Sequence, residues 1–218
     1  MRNLFIYIIV LTLVIGLFID QKMEFYGQIT TNIVAWVVFF ILLQTSNRLE
    51  RISLILCVIY ATAGEIFLSL VWGLYEYRLN NIPLFVPPGH ALLFTLGLLL
   101  APKMHDWFIR VVPIFTAFYM TVAFITGIDT LGGILFITFL ICLIFGEAKK
   151  LYATMFMLSM LLEIYGTTLG NWTWYLDVPV IALTTTNPPI SAGTFYCLLD
   201  LLVIFTINAI YGSAKEQK

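Results

Sequence analysis

The chain has 218 residues, of which 61% are hydrophobic and only 11% charged, against about 45–50% and about 25% in soluble domains. That balance excludes an ordinary soluble domain and points to a polytopic membrane protein. The formal net charge of −1 leaves no basic face for nucleic acid.

The N-terminus, MRNLFIYIIVLTLVIGLFID, has one arginine and then an apolar core of about 17 residues with no A-x-A site after it, so it reads as a first span and not as a cleaved leader. A span needs about 20 mostly apolar residues. On that basis the sequence predicts eight helices, over residues 3–19, 28–46, 52–76, 88–102, 107–126, 129–146, 150–170 and 189–212. The connections are short, so the expectation is an all-α transmembrane helix bundle, one domain over residues 1–218.

Eight spans place both termini and the second, fourth and sixth loops on one side. That side holds Arg2, Arg48, Arg51, Lys103, Arg110, Lys149, Lys150, Lys215 and Lys218, and the other holds Lys22 and Arg78. Basic residues gather on the cytoplasmic side. The expectation is therefore a multi-pass protein of a plasma membrane, such as a bacterial inner membrane, with both termini cytoplasmic. Cys57, Cys142 and Cys197 lie in apolar runs with no CxxC pair and no metal-ligand spacing, and they read as buried small hydrophobes.

The third predicted helix and its outward loop, GEIFLSLVWGLYEYRLNNIPLFVPPGH, have a counterpart in LEIYGTTLGNWTWYLDVPVIALTTTNPP. Glu65, Gly73, Tyr75, Tyr77, Pro83 and Pro87-Pro88 match Glu163, Gly170, Trp172, Trp174, Pro179 and Pro188-Pro189 in order. The chain thus divides 4 + 4, with halves of about 1–105 and 106–218 in one orientation. Repeats of this kind place sites between the copies, near the midplane.

Glu65, Glu163 and Asp200 fall inside spans, where a charge costs at least about 2.5–3.5 kcal/mol. The other nine acids, of 12, lie at or near span ends. Carboxyls in such a place are candidates for acid–base catalysis, and two close together tend to share one proton. The competing reading is a carboxyl that only ties helices together. His90, after the PPG turn, could relay a proton or simply cap the fourth helix. One histidine with two or three carboxylates has donor types for iron, manganese or magnesium. The E-x-x-H spacing of di-iron bundles is missing, and no metal or other cofactor is expected. Tyr75, Tyr77, Trp172 and Trp174 read either as an interfacial aromatic belt or as the wall of a cleft for an apolar substrate. Asn171 and Arg78 beside them are candidate substrate contacts, Arg78 through an ion pair with Glu76 or by holding an anionic head group. Gly166 and Gly170 form a GxxxG, and Ala61 and Gly64 are also small, which predicts close helix contacts.

The intramembrane glutamate, the following glycine, the Y-x-Y or W-x-W pair and the proline-rich outer loop resemble the carotenoid biosynthesis membrane family over residues 61–91 and 159–190. That resemblance implies a hydratase acting on terminal double bonds of carotenoids, with Glu65 or Glu163 as the acid. The partner carboxylate and Asp200 would then orient water or stabilise a cation, helped by the aromatic rings. The residues themselves leave two classes open. One is an intramembrane enzyme using acid–base chemistry on a carotenoid, polyprenoid or other lipid. The other is a small proton- or cation-coupled transporter or binding protein. Signatures of α/β-hydrolases, zinc proteases and phosphate loops are missing from the sequence.

Overall fold

The apolar runs fold into eight α-helices among the described residues. The computed structural model describes residues 2–215; Lys218, counted above with the cytoplasmic basic residues, lies outside the described residues. In chain order the helices are α1 (Arg2–Lys22), α2 (Glu24–Thr45), α3 (Arg48–Glu65), α4 (Val86–Leu100), α5 (Phe108–Ile125), α6 (Thr130–Phe145), α7 (Lys149–Leu169) and α8 (Gly193–Lys215). A π-helical turn, Ile66–Val71, continues α3, and two short strands, β1 (Tyr75–Tyr77) and β2 (Trp172–Trp174), follow α3 and α7.

Local chemistry sets several of these ends. Asn47 and Glu50 form a reciprocal cap, with Glu50 N donating to Asn47 Oδ1 at 3.0 Å and Asn47 N to Glu50 Oε2 at 2.9 Å. That cap starts α3 at Arg48, ahead of the expected residue 52. Pro87 and Pro88 stand in the first turn of α4, where no intrahelical N–H is needed. Asp129 caps α6 by accepting from Gly132 N at 2.7 Å.

α3, α4, α7 and α8 pack together in the middle. The α1–α2 hairpin lies against α4, and α5 and α6 lie against α7 and α8. Five helices are long and apolar enough to cross a membrane: α1, α2, α3 with its π turn, α5 and α8. α4 has 15 residues and α6 has 16. α4 is enclosed, with Ala91, Leu92, Leu93, Phe94, Leu96 and Gly97 buried. Large apolar side chains point outward instead on the peripheral helices, among them Tyr7, Ile33, Phe115, Phe118, Ile125 and Phe145.

Four expectations are corrected. The third helix does not run to residue 76: α-geometry stops at Glu65, and Tyr75 belongs to a strand. α8 starts at Gly193 and not at 189. Gly166 is not a helix–helix contact, because a Cβ there would lie 2.0 Å from the ring of Trp172; the glycine makes room for that indole. Gly64 meets nothing within 4 Å of a Cβ, so it is not a close-packing residue either.

Candidate functional site

The two matching stretches meet. β1 and β2 pair antiparallel, with Tyr75 opposite Trp174, Glu76 opposite Thr173 and Tyr77 opposite Trp172. Bonds from Arg78 N to Asn171 O and from Tyr175 N to Leu74 O flank the pair. Their alternation makes Tyr75–Trp174 and Tyr77–Trp172 the closely spaced, non-hydrogen-bonded positions. The ring centroids there lie 4.5 and 6.2 Å apart.

The chain reaches this geometry by two routes. After Glu65, the π turn closes with Trp72 N on Phe67 O and hands over to Gly73 at φ 75°. After Glu163, the α-helix continues to Gly170 at φ 85°. Only glycine enters that left-handed region at no steric cost. Both turns fold an aromatic pair back toward the helix it followed. The rings are therefore buried, not spread at an interface: Tyr75, Tyr77, Trp172 and Trp174 are all under 8% exposed.

Each pair serves one glutamate. Glu65 Oε2 accepts from the hydroxyls of Tyr75 at 2.7 Å and Tyr77 at 2.6 Å. Glu163 Oε2 accepts from Nε1 of Trp172 at 2.8 Å and of Trp174 at 3.1 Å. The second oxygens differ. Glu163 Oε1 accepts from Tyr196 OH at 3.1 Å. Glu65 Oε1 faces His90 Nε2 at 3.6 Å. His90 Nδ1 lies 2.9 Å from Val86 O, a pure acceptor, so Nδ1 carries a hydrogen. Nε2 faces Glu65 Oε1 from just beyond hydrogen-bond distance. His90 also stacks on Tyr196, with centroids 4.8 Å apart and planes 9° apart. The imidazole therefore sits between the two carboxylates.

Two cavities flank this cluster. One opens between α1, α2 and α4, and the other between α3 and α8. Glu65, Glu163, His90, Tyr75, Trp174 and Tyr196 line both. The first is otherwise walled mainly by apolar residues such as Leu13, Leu17, Phe85 and Leu162. No group of three histidine, cysteine or acidic side chains among the described residues is arranged to hold a metal ion. No family model matches the chain, and comparison with curated proteins and with solved structures finds no similar one.

Three candidates fall elsewhere. Asp200, expected at the cavity wall, lines neither cavity; it is fully buried one turn along α8 from Tyr196, and neither carboxyl oxygen has a partner. Arg78 does not pair with Glu76. Its guanidinium bonds Asp20 O at 2.6 Å and lies 3.4 Å from Asp20 Oδ1. Glu76 instead accepts from Tyr175 OH at 2.5 Å, which raises that phenol above its ordinary pKa. Asn171 donates to Leu17 O at 3.0 Å and Asp20 Oδ2 at 2.6 Å and does not reach the cavity. Asp20, Arg78 and Asn171 thus tie the end of α1 to the β1–β2 pair. Two members were missed in the sequence. Tyr196 lies beyond the matched stretch with no counterpart in the first copy. Asp20 looked like an ordinary acid at a span end, and its signal was the single outward arginine able to reach it.

Proposed function

We propose that this chain is a polytopic membrane protein of two four-helix repeats with both termini cytoplasmic. We propose further that it is an intramembrane enzyme acting on a carotenoid, polyprenoid or other unsaturated lipid by acid–base chemistry. Double-bond hydration is the reaction that the motif resemblance implies. The observation that carries the reading is the unequal satisfaction of two carboxylates on one apolar cavity. Both oxygens of Glu163 are hydrogen-bonded, three bonds in all. Glu65 is bonded through Oε2 only, with Oε1 3.6 Å from His90 Nε2, and in this reading the Glu65–His90 pair carries the transferable proton.

The chemistry follows from that division. The Glu65–His90 pair gives its proton to one carbon of a double bond, and the π electrons form the new C–H bond. The other carbon becomes a cation, facing the Glu163 carboxylate and the aromatic rings, which stabilise positive charge. Water adds its oxygen to that carbon, and the water's proton returns to the Glu65–His90 pair. The donor pair is regenerated and no cofactor is consumed. An apolar wall keeps bulk water from the cation until the one water attacks.

Transport, the second reading, draws support from one observation: α3 changes from α- to π-geometry immediately after Glu65, and π turns gather at functional positions. Lipid extracts of cells with and without the protein, compared by mass spectrometry, test the enzyme. A lipid gaining the mass of one water is the expected result, and it should vanish in Glu65→Gln. Identical lipid profiles would remove the enzyme reading.

A further inference from the structure

The charge balance of the site points to a ligand. Neither cavity is lined by a lysine or arginine. Glu65 has the His90 imidazole beside it, Nε2 at 3.6 Å from Oε1. Glu163 is different. Its Oε2 accepts from two indole N–H groups, which can only donate. Its Oε1 takes the Tyr196 hydroxyl. All three partners suit a carboxylate. A carboxylate at Glu163 would have no cationic side chain against it. Such a charge is costly unless it is paired.

The surroundings narrow the counter-ion. Six Phe, Tyr and Trp residues, Tyr75, Tyr77, Phe85, Trp172, Trp174 and Tyr196, line the cavity that Glu163 faces, and Leu13 and Leu17 continue its wall. Aromatic rings around an anion are how proteins hold quaternary ammonium groups, which have no N–H to donate and are large and weakly hydrated. A small hard cation would need several free oxygens, and three of the four glutamate oxygens already accept hydrogen bonds.

We infer that this cavity binds a lipophilic monovalent organic cation, with its charged head against Glu163 and its alkyl chain along Leu13 and Leu17. The inference uses the electrostatics of the site and does not depend on the acid–base step. The test uses the full chain in nanodiscs of uncharged lipid, with empty nanodiscs as control. The probes are hexyltrimethylammonium and its neutral isostere, in which a quaternary carbon replaces nitrogen. The wild-type protein should bind the ammonium at least about tenfold more tightly. Glu163→Gln should erase that preference. Glu76→Gln, at a carboxylate that lines neither cavity, should retain it, and Trp174→Leu should weaken ammonium binding several-fold. Equal binding of the two probes by wild type, binding of neither, or a preference that survives Glu163→Gln overturns the inference. Its failure shows in probe binding and failure of the enzyme reading shows in the lipid product, so the two are read separately.

Discussion

Glu65 and Glu163 occupy matching places in the sequence, yet their partners give them different work. Two phenols and an imidazole surround the first, two indoles and a phenol the second. Under the enzyme reading, Glu65→Gln removes the transferable proton and should lower turnover by about 10²–10⁴-fold, measured as product per unit of folded protein. Were the glutamates only helix ties, the same change would leave turnover within a few-fold. A second residue-scale test concerns Gly166. A Cβ there would lie 2.0 Å from the Trp172 ring, so Gly166→Ala must displace the indole from Glu163. Overpacking of this kind costs about 1–3 kcal/mol. A lowered melting temperature with shifted tryptophan fluorescence is the expected readout, and an unchanged melt would contradict the packing described. The two acids were legible in the sequence because a carboxyl in an apolar run is rare. The partners were not. Which ring donates to which oxygen depends on a chain reversal at Gly73 and Gly170 that hydropathy does not register.

At the scale of elements, the decisive unit is the pair of three-residue strands. Residues 75–77 and 172–174 alternate buried, exposed, buried, so one face of each strand carries both ring donors inward. Strands this short do not stand out from span ends in a hydrophobicity profile, and the third helix was accordingly expected to run through Tyr75. The pairing makes the two glutamate sites interdependent. Thr173 lies opposite Glu76 at a hydrogen-bonded position and its side chain is exposed. Thr173→Pro removes the N–H donor that this ladder position needs. It should disturb the donors of both glutamates at once, although residue 173 touches neither. Thr173→Val should change stability by no more than about 0.5 kcal/mol. Thermal melts and turnover of the two variants check this. A functional Thr173→Pro protein would show that the strand pair does not organise the site.

Across the whole molecule, the hydrophobic surface and the distribution of charge bear on one question, which way the bundle faces. The outer helices present large apolar side chains to their surroundings, as expected where lipid and not water is the solvent. The helix count was legible because hydrocarbon demands long apolar runs, whereas the packing order was not, since hydropathy says nothing about which helix sits in the centre. α7 turned out to be central and α5 peripheral. At one end of the bundle Lys150 reaches Asp106 at 2.6 Å, a hydrogen bond and charge that hold this carboxyl below its ordinary pKa. This end carries the basic loops that should face the cytoplasm. The opposite end carries β1, β2 and the loops after them. Thr185 in the longer loop would be a poor labelling site, because it is only 3% exposed, whereas Val180 in the same loop is 97% exposed. Asn81 is exposed as well, and so is Lys149 at the other end. The three native cysteines are all buried, so they need not be removed before single cysteines are introduced. A membrane-impermeant maleimide added to intact cells should therefore label Asn81→Cys and Val180→Cys and leave Lys149→Cys unlabelled until the membrane is opened. Labelling at position 149 in intact cells, with 81 and 180 protected, would invert the protein. Labelling of all three would mean that the bundle does not separate two compartments, and the membrane-spanning reading would fall with it.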